Sequence, residues 1–113
     1  MELNKFYLIE DFIELVCQEK DRGIYYSVYA PQGTQKLSSG MSLFIGEQSS
    51  FDDDDNEIVP EVVVSQGLEM CYSDERFQDV VRLAFKQKPD ASTGEIVKCL
   101  NYYAEEDDFL DLV

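Results

Sequence analysis

The feature that most constrains the fold is a capped, amphipathic segment in the last quarter of the chain. Ser92 precedes Glu95 by three residues, the capping-box spacing in which a hydroxyl accepts a backbone N–H at a helix start. Pro89 disfavours helical torsions at Lys88, so a short turn separates this helix from the one before it. The sequence therefore predicts a packed helix over about residues 92–105. Its inward face has apolar residues at helical spacing, namely Ile96, Val97, Leu100, Tyr103 and Ala104.

Two further helices are predicted from the same periodicity. One covers residues 8–20, where apolar residues lie opposite Glu10 and Glu14 and Gly23 is placed to end the helix. The other covers about residues 74–87 and begins at the capping sequence Ser73-Asp74-Glu75. The buried stripe of this second helix consists of Phe77, Val80, Val81 and Ala84.

The strands are predicted from β-branched and aromatic runs. Residues 24–30 and 41–47 should pair antiparallel through the loop between them. Residues 60–66 are ambiguous, because the valines favour a strand, whereas Pro60-Glu61 fits a first helical turn and Gly67 fits a stop. We expect a short helix there, followed by a strand at 68–72. This order predicts one α+β domain over residues 1–113, with a partly antiparallel sheet of about three strands packed with about four helices.

The composition indicates a folded acidic domain. Hydrophobic residues make up 44% of the chain, yet 24 acidic side chains face only 9 basic ones, a net charge of −15. This charge repels phosphate, so we expect no direct binding of nucleic acid or of anionic membranes. A basic protein is the natural partner.

The cysteines and the N-terminus predict a compartment. Cys17, Cys71 and Cys99 are far apart and lie in apolar patterns, which predicts reduced, buried thiols rather than a disulfide framework. The opening residues contain no uninterrupted apolar run of the kind that signal peptides and membrane spans require. We therefore expect a cytoplasmic protein.

The sequence offers little for catalysis. It contains no histidine, which removes histidine-activated nucleophiles, imidazole proton transfer and histidine-ligated zinc. Asp52, Asp54 and Asn56 reproduce the first oxygen ligands of a calcium loop, but Glu57 replaces its glycine and Val63 its bidentate glutamate. We predict no catalytic residue, no metal site and no cofactor, and we expect that the protein is not an enzyme.

Two acidic patches are candidates for contact with a basic partner. The first is Asp52, Asp53, Asp54 and Asp55 with Glu57, in a solvated excursion over residues 48–57. The second is Glu105, Glu106, Asp107 and Asp108, at a helix C-terminus where the dipole disfavours anions. Phe51 and Tyr102 are the candidate aromatic anchors, whereas Tyr103 is expected in the core. We favour the second patch, because a packed helix holds it in place and a loop would lose conformational entropy on binding.

The C-terminal half carries a set of residues that resembles a known family, running from a P-E pair through G-L to a helix that ends in F-K-Q-K-P-x-A-S. The shared residues are Pro60, Glu61, Gly67, Leu68, Gln87, Pro89, Leu100, Tyr102, Tyr103, Asp108 and Phe109. The resemblance is to an uncharacterised family of small bacterial domains found among immunity proteins of contact-dependent growth inhibition and related polymorphic toxin systems. It implies binding, one to one, of a cognate toxin C-terminal domain.

Charge adds to that implication. A toxin that acts on nucleic acid must be basic, so clustered carboxylates could occlude its active site or substrate groove. Two alternatives stay open. In the first, the chain is an acidic nucleic-acid mimic that inhibits a different basic host or phage protein or serves as its adaptor. The charge argument supports this alternative equally, but the resemblance does not support it. A small enzyme that uses carboxylates alone is the remote alternative, and no motif supports it.

Overall fold

The main β-sheet is covered on both faces, because successive side chains on its strands point to opposite sides and each side packs against other elements. The computed structural model describes residues 1–112, and the domain is α+β, as predicted. The elements in chain order are β1 (Lys5–Leu8), α1 (Ile9–Cys17), β2 (Ser27–Pro31), β3 (Ser42–Gly46), β4 (Ser50–Phe51), β5 (Glu57–Ile58), α2 (Glu61–Ser65), β6 (Leu68–Ser73), α3 (Asp74–Gln87) and α4 (Thr93–Glu106).

The main sheet has four strands in the order β1-β3-β2-β6, and every neighbouring pair is antiparallel. The predicted pairing of the second and third strands is confirmed, with Val28 opposite Ile45 and Tyr29 opposite Phe44. Strand β1 was not predicted. It runs into α1 without a turn. Leu8 has extended backbone torsions and is the N-cap of α1, although the periodicity assigned it to the helix.

The inner face of the sheet carries the main core. Strand residues such as Val28 and Ile45 meet helix residues such as Phe12, Phe77 and Leu100, all buried. Because α1, α3 and α4 each present one apolar stripe, their side chains close a single cluster over this face. The predicted stripe of the third helix is confirmed in full.

The outer face carries a second, smaller cluster. The chain from Glu47 to Gly67, called the arm below, crosses this face and includes the β4–β5 hairpin and α2. Val63 of the arm buries Tyr29 and Phe44 of the sheet, together with Leu68. The predicted short helix at 60–66 is confirmed, and its one buried valine explains why a valine-rich segment needs no strand partner.

The helix caps follow the sequence signals. Ser73 Oγ accepts from Arg76 N at 3.3 Å, and Ser92 Oγ accepts from Glu95 N at 3.2 Å. The carboxylate of Glu95 does not complete a simple capping box, because Lys88 Nζ donates to its two oxygens at 2.9 and 3.1 Å. The turn at Pro89 is therefore tied to the first turn of α4.

Four local predictions need correction. Helix α1 ends at Cys17 rather than residue 20, because no apolar stripe remains after Val16 and Glu19 adopts a positive φ of 58°. Strand β2 begins at Ser27, since Tyr26 N donates to Asp74 Oδ2 instead of to a strand.

The excursion at 48–57 is exposed, as predicted, but it is an ordered hairpin in which Phe51 pairs with Glu57. Ala104 is exposed, because it faces an open cleft of about 250 Å³ beside Gln35 and Lys36.

Candidate functional site

The acidic loop between β4 and β5, residues 52–56, is closed by the side chain of its first residue. Asp52 Oδ1 accepts from Asp54 N and from Asn56 N, both at 2.9 Å. These bonds, with the Asn56 backbone contributing most, hold the pKa of Asp52 below its usual range. One aspartate therefore shapes the loop, and the three that follow it point their charge to solvent.

The predicted anchor Phe51 lies beside this loop. It is 65% exposed and stands opposite Glu57 in the hairpin, so the two side chains share one hairpin face. An exposed aromatic side chain therefore lies beside the first acidic patch.

The second patch lies where α4 ends. Glu105 and Glu106 are exposed in its last turn, and Asp107 adopts a left-handed conformation with φ 53° that glycine usually provides. Asp108 Oδ1 accepts from Phe109 N at 2.8 Å. The four carboxylates form an exposed patch, of which Glu105 and Glu106 lie in α4 and Asp107 and Asp108 follow its end.

The aromatics near this patch divide into two kinds. Tyr103 is half-buried between Tyr72 and Phe109, with ring centroids 6.4 and 5.0 Å away, so its predicted core position is confirmed. Tyr102 lies on the exposed side of α4 and lines an open cleft with Lys36 and Lys98. Tyr102 therefore remains available at the second patch, although cations also border it.

The two patches lie on opposite sides of the main sheet. Helix α4 packs on the inner face, whereas the arm that carries the acidic loop packs on the outer face. The structure therefore separates residues that the sequence placed in one list of contacts.

Charge is distributed unevenly between these sides. No lysine or arginine occurs between Lys36 and Arg76, and this span contains the whole arm. The helical layer, in contrast, contains Arg76, Arg82, Lys86 and Lys98. The arm is acidic and contains no basic residue that would offset its charge. The positions of the lysines and arginines in the sequence reveal this, whereas the overall composition does not.

A depression on the arm side, which we call the outer groove, was not predicted. It has a volume of about 280 Å³ and lies between the arm and β6. Met70 lines it because Tyr29 and Met70 are opposite each other, on the outer face. Simple alternation would place Met70 and Tyr72 on one face, but a bulge at Val28/Tyr29 shifts the register and sends Tyr72 into the main core.

The buried polar groups are structural. Tyr26 Oη donates to Asp21 Oδ2 at 2.5 Å, and Gln78 Nε2 donates to the same oxygen at 2.8 Å. Burial first, and then the bond to Asp21, raises the pKa of Tyr26 far above its ordinary value. Asp74 Oδ2 accepts from Tyr26 N at 3.2 Å. This network fixes the turn after α1 against α3.

The prediction for the cysteines is wrong in part. All three are free thiols, but only Cys99 is buried, where burial raises its pKa. Cys17 is exposed at the end of α1, on the side away from the stripe, and Cys71 is exposed at the bulge of the edge strand β6. The apolar patterns around them belong to their neighbours.

Residues 1–112 contain no group of three or more histidine, cysteine, aspartate or glutamate side chains that could hold a metal ion. None of the helices described above has the length and apolarity that crossing a membrane requires.

Fold and surface together define a small acidic α+β domain with an ordered acidic loop and an adjoining outer groove. Residues 9–112 match the model of a family described as "Domain of unknown function (DUF7716)", so the chain belongs to this family. No curated protein and no solved structure gives a significant match.

Proposed function

We propose that this domain is an immunity-type inhibitor that binds a cognate, basic toxin domain one to one and blocks its active site or substrate groove. The observation that carries the proposal is the arm side of the molecule. There an ordered loop of aspartates and exposed Phe51 adjoin the outer groove, and the arm contains no lysine or arginine. Such a surface is complementary to a groove that binds phosphates.

The order of the loop strengthens the first patch as a contact site. Asp55 N donates to Asp52 O at 3.1 Å, and Asp52 N donates to Asn56 O at 3.0 Å, so the backbone is already folded before any partner arrives. Binding therefore costs this loop less conformational entropy than it would cost a disordered chain, and the reason for preferring the C-terminal patch becomes weaker. We now place the arm first among the contact surfaces and keep Glu105–Asp108 as the second.

Speed is the functional advantage of this charge. Electrostatic steering raises association rates by roughly 10 to 1,000-fold at low salt. An inhibitor of a nucleic-acid-directed toxin competes with abundant substrate, so rapid capture protects the cell better than slow binding of equal strength.

The test is coexpression with the C-terminal domain encoded by the neighbouring gene, followed by copurification and titration calorimetry at low and high salt. We expect a one-to-one complex whose affinity and association rate fall as salt rises. A domain that fails to copurify, or that binds with no dependence on salt, contradicts the proposal.

Charge-removing variants assign the contact surface. Asp53→Asn, Asp54→Asn and Asp55→Asn in one protein leave Asp52 to close the loop. A second protein carries Glu105→Gln, Glu106→Gln and Asp108→Asn. The matched control removes three exposed carboxylates elsewhere, at Asp11, Asp79 and Asp90. We expect the first variant to weaken binding more than the control does.

A further inference from the structure

The arm is held to the outer face of the sheet by a small part of its length. Of all the residues in the arm, Val63 alone is buried. It packs with Tyr29, Phe44 and Leu68, which are buried beneath the arm. A single small side chain therefore closes the second, smaller cluster.

The hydrogen bonds between the arm and the rest of the domain lie at its two ends. Tyr29 Oη donates to Glu47 O at 2.6 Å where the arm begins, and Gln32 N donates to Gly67 O at 3.0 Å where it ends. Within residues 1–112, the hydrogen bonds of residues 50–66 all stay inside the arm. The three ion pairs found in the same range include no arm residue. The arm is thus fastened at both ends and at Val63.

The elements inside the arm are too short to be stable without this packing. Strands β4 and β5 have two residues each, and α2 has five. An isolated two-stranded hairpin is marginally stable in water, and so is a helix shorter than about 12 residues. The hairpin and α2 therefore depend on the same contact at Val63. The main core does not depend on it, because the described residues of that cluster include none from the arm.

The arm also carries charge that opposes its closure. It contains none of the 9 basic residues of the chain and seven of the 24 acidic ones, namely Glu47, Asp52, Asp53, Asp54, Asp55, Glu57 and Glu61. Acidic residues outnumber basic ones in the rest of the chain as well. Closing the arm therefore brings like charges together, and this repulsion is weaker at high salt.

We infer that the arm is a cover that opens as one unit about its two ends while the main sheet and helices α1, α3 and α4 stay folded. Opening exposes Tyr29, Phe44 and Leu68 to water. Phe44 then extends the apolar surface of Phe6, which is already 47% exposed and whose ring centroid lies 5.0 Å from that of Phe44. The outer face thus alternates between a closed acidic surface and an open apolar one, and the charge of the arm shifts the balance towards opening. This inference goes beyond the proposed function, because it requires no partner.

The experiment is native-state hydrogen exchange of the full chain, followed by NMR at urea concentrations below the unfolding transition. The reporters are the amides of Asp52 in the hairpin and of Val64 and Gln66 in α2, each of which donates to a carbonyl inside the arm. The reference is the amide of Val81 in the middle of α3. We expect the three reporters to share one opening constant that is about 100-fold or more larger than that of Val81. Their exchange should depend little on urea, because opening the arm exposes much less surface than global unfolding does.

A substitution at the buried contact tests whether the arm is one unit. Val63→Ala should speed exchange at Asp52 and at Gln66 by the same factor, about tenfold, although the two amides lie in different elements. Val62→Ala is the matched control, because Val62 is the half-buried neighbour of Val63, and it should change exchange by about threefold at most. The parent chain alone tests the shared opening constant, so the inference can be contradicted even if Val63→Ala fails to fold.

The two charge-removing proteins described above test the role of charge. The first, altered at Asp53, Asp54 and Asp55, keeps the contact at Val63 and should slow exchange of the α2 amides by roughly threefold at low salt. The gain should disappear at high salt. The second, altered at Glu105, Glu106 and Asp108, removes equal charge on the other side of the sheet and should leave exchange of the α2 amides close to that of the parent.

The inference is overturned if Asp52 and Gln66 have different opening constants, if either amide is as well protected as that of Val81, or if Val63→Ala speeds only one of them. Equal exchange of the α2 amides in the two charge-removing proteins overturns the role of charge in opening. These measurements use no toxin domain, so their outcome is independent of the copurification that tests the proposed function.

Discussion

Tyr26 donates its hydroxyl hydrogen to Asp21 Oδ2 at 2.5 Å, and both side chains are completely buried. Asp21 Oδ1 has no hydrogen-bond partner among the described residues, so the carboxylate depends on Tyr26 and Gln78 alone. A buried carboxylate that loses one of two donors bears an unpaired charge in a dry environment.

We therefore expect Tyr26→Phe to lower the free energy of unfolding by about 1–3 kcal/mol. Urea denaturation of the parent and the variant measures the difference. Tyr25→Phe is the control, because Tyr25 is 79% exposed. Loss of its hydroxyl group should change the free energy of unfolding by no more than about 0.5 kcal/mol. Equal stability of Tyr26→Phe and the parent would show that the bond adds nothing.

Gly46 is predicted to be intolerant of a methyl group. A Cβ at this position would lie 2.9 Å from Phe44 Cε2 and 3.3 Å from Tyr29 Cε2, two rings that the arm holds in place. We expect Gly46→Ala to destabilise the domain by about 1–3 kcal/mol through overpacking of the outer cluster.

Gly94→Ala is the matched control for that substitution. Its nearest neighbour would be Ser92 Oγ at 3.8 Å, and alanine favours the helix there, so stability should stay equal or rise by up to about 1 kcal/mol. The urea midpoints of the two variants should thus move in opposite directions. A Gly46→Ala protein with the midpoint of the parent would mean that the two rings move aside freely.

The ion pair between Lys88 and Glu95 predicts a specific pH dependence. Its bonds lower the pKa of Glu95 below the ordinary value, with the Lys88 hydrogen bond contributing most. A depressed folded pKa adds stability above the unfolded pKa of about 4.3, and this stability is lost as the pH falls through the folded value. The parent should therefore exceed Glu95→Gln in melting temperature at pH 6, and the gap should shrink in acid.

Glu106→Gln serves as the control, since Glu106 forms none of the described ion pairs and lies at a helix end that disfavours acids. Its melting temperature relative to the parent should not show the same decline in acid. A gap for Glu95→Gln that stays constant from pH 6 to pH 3 contradicts the assignment of the shift to this pair.

The helices were predictable because their signals are local. Ser73 and Ser92 cap helices that begin where their hydroxyls indicate, and the stripe from Phe77 to Ala84 is buried as its spacing requires. Caps and apolar stripes depend on residues three or four positions apart, so they can be predicted without knowing the tertiary fold.

The outer groove was not predictable for the opposite reason. Met70 reaches it through a bulge opposite Val28, and Val63 covers the outer face from the distant arm. Both facts depend on which strands pair and in which register, and alternation in one segment does not reveal that. The acidic loop was visible as a run of charge, whereas its order depends on which of the four aspartates accepts the backbone bonds.

The last prediction tests that order. Asp52 Oδ1 takes hydrogen bonds from the amides of Asp54 and Asn56, and Asp55 has a positive φ of 62° that the turn enforces. Asp52→Ala removes the acceptor, so we expect faster hydrogen exchange at the Asp54 and Asn56 amides. Asp52→Asn keeps a side-chain oxygen and should restore part of the protection.

The charge control is Asp53→Ala, which removes an exposed carboxylate that accepts none of these bonds. It should leave exchange at Asn56 unchanged. The pKa of Asp52 is lowered in the folded loop, so protection should be greatest above the unfolded pKa of about 3.9 and should decline as the pH falls through the folded value. If the loop amides exchange at the same rate in Asp52→Ala and Asp53→Ala, the loop is ordered by the hairpin strands alone. Its aspartates then differ only in position and each contributes one negative charge.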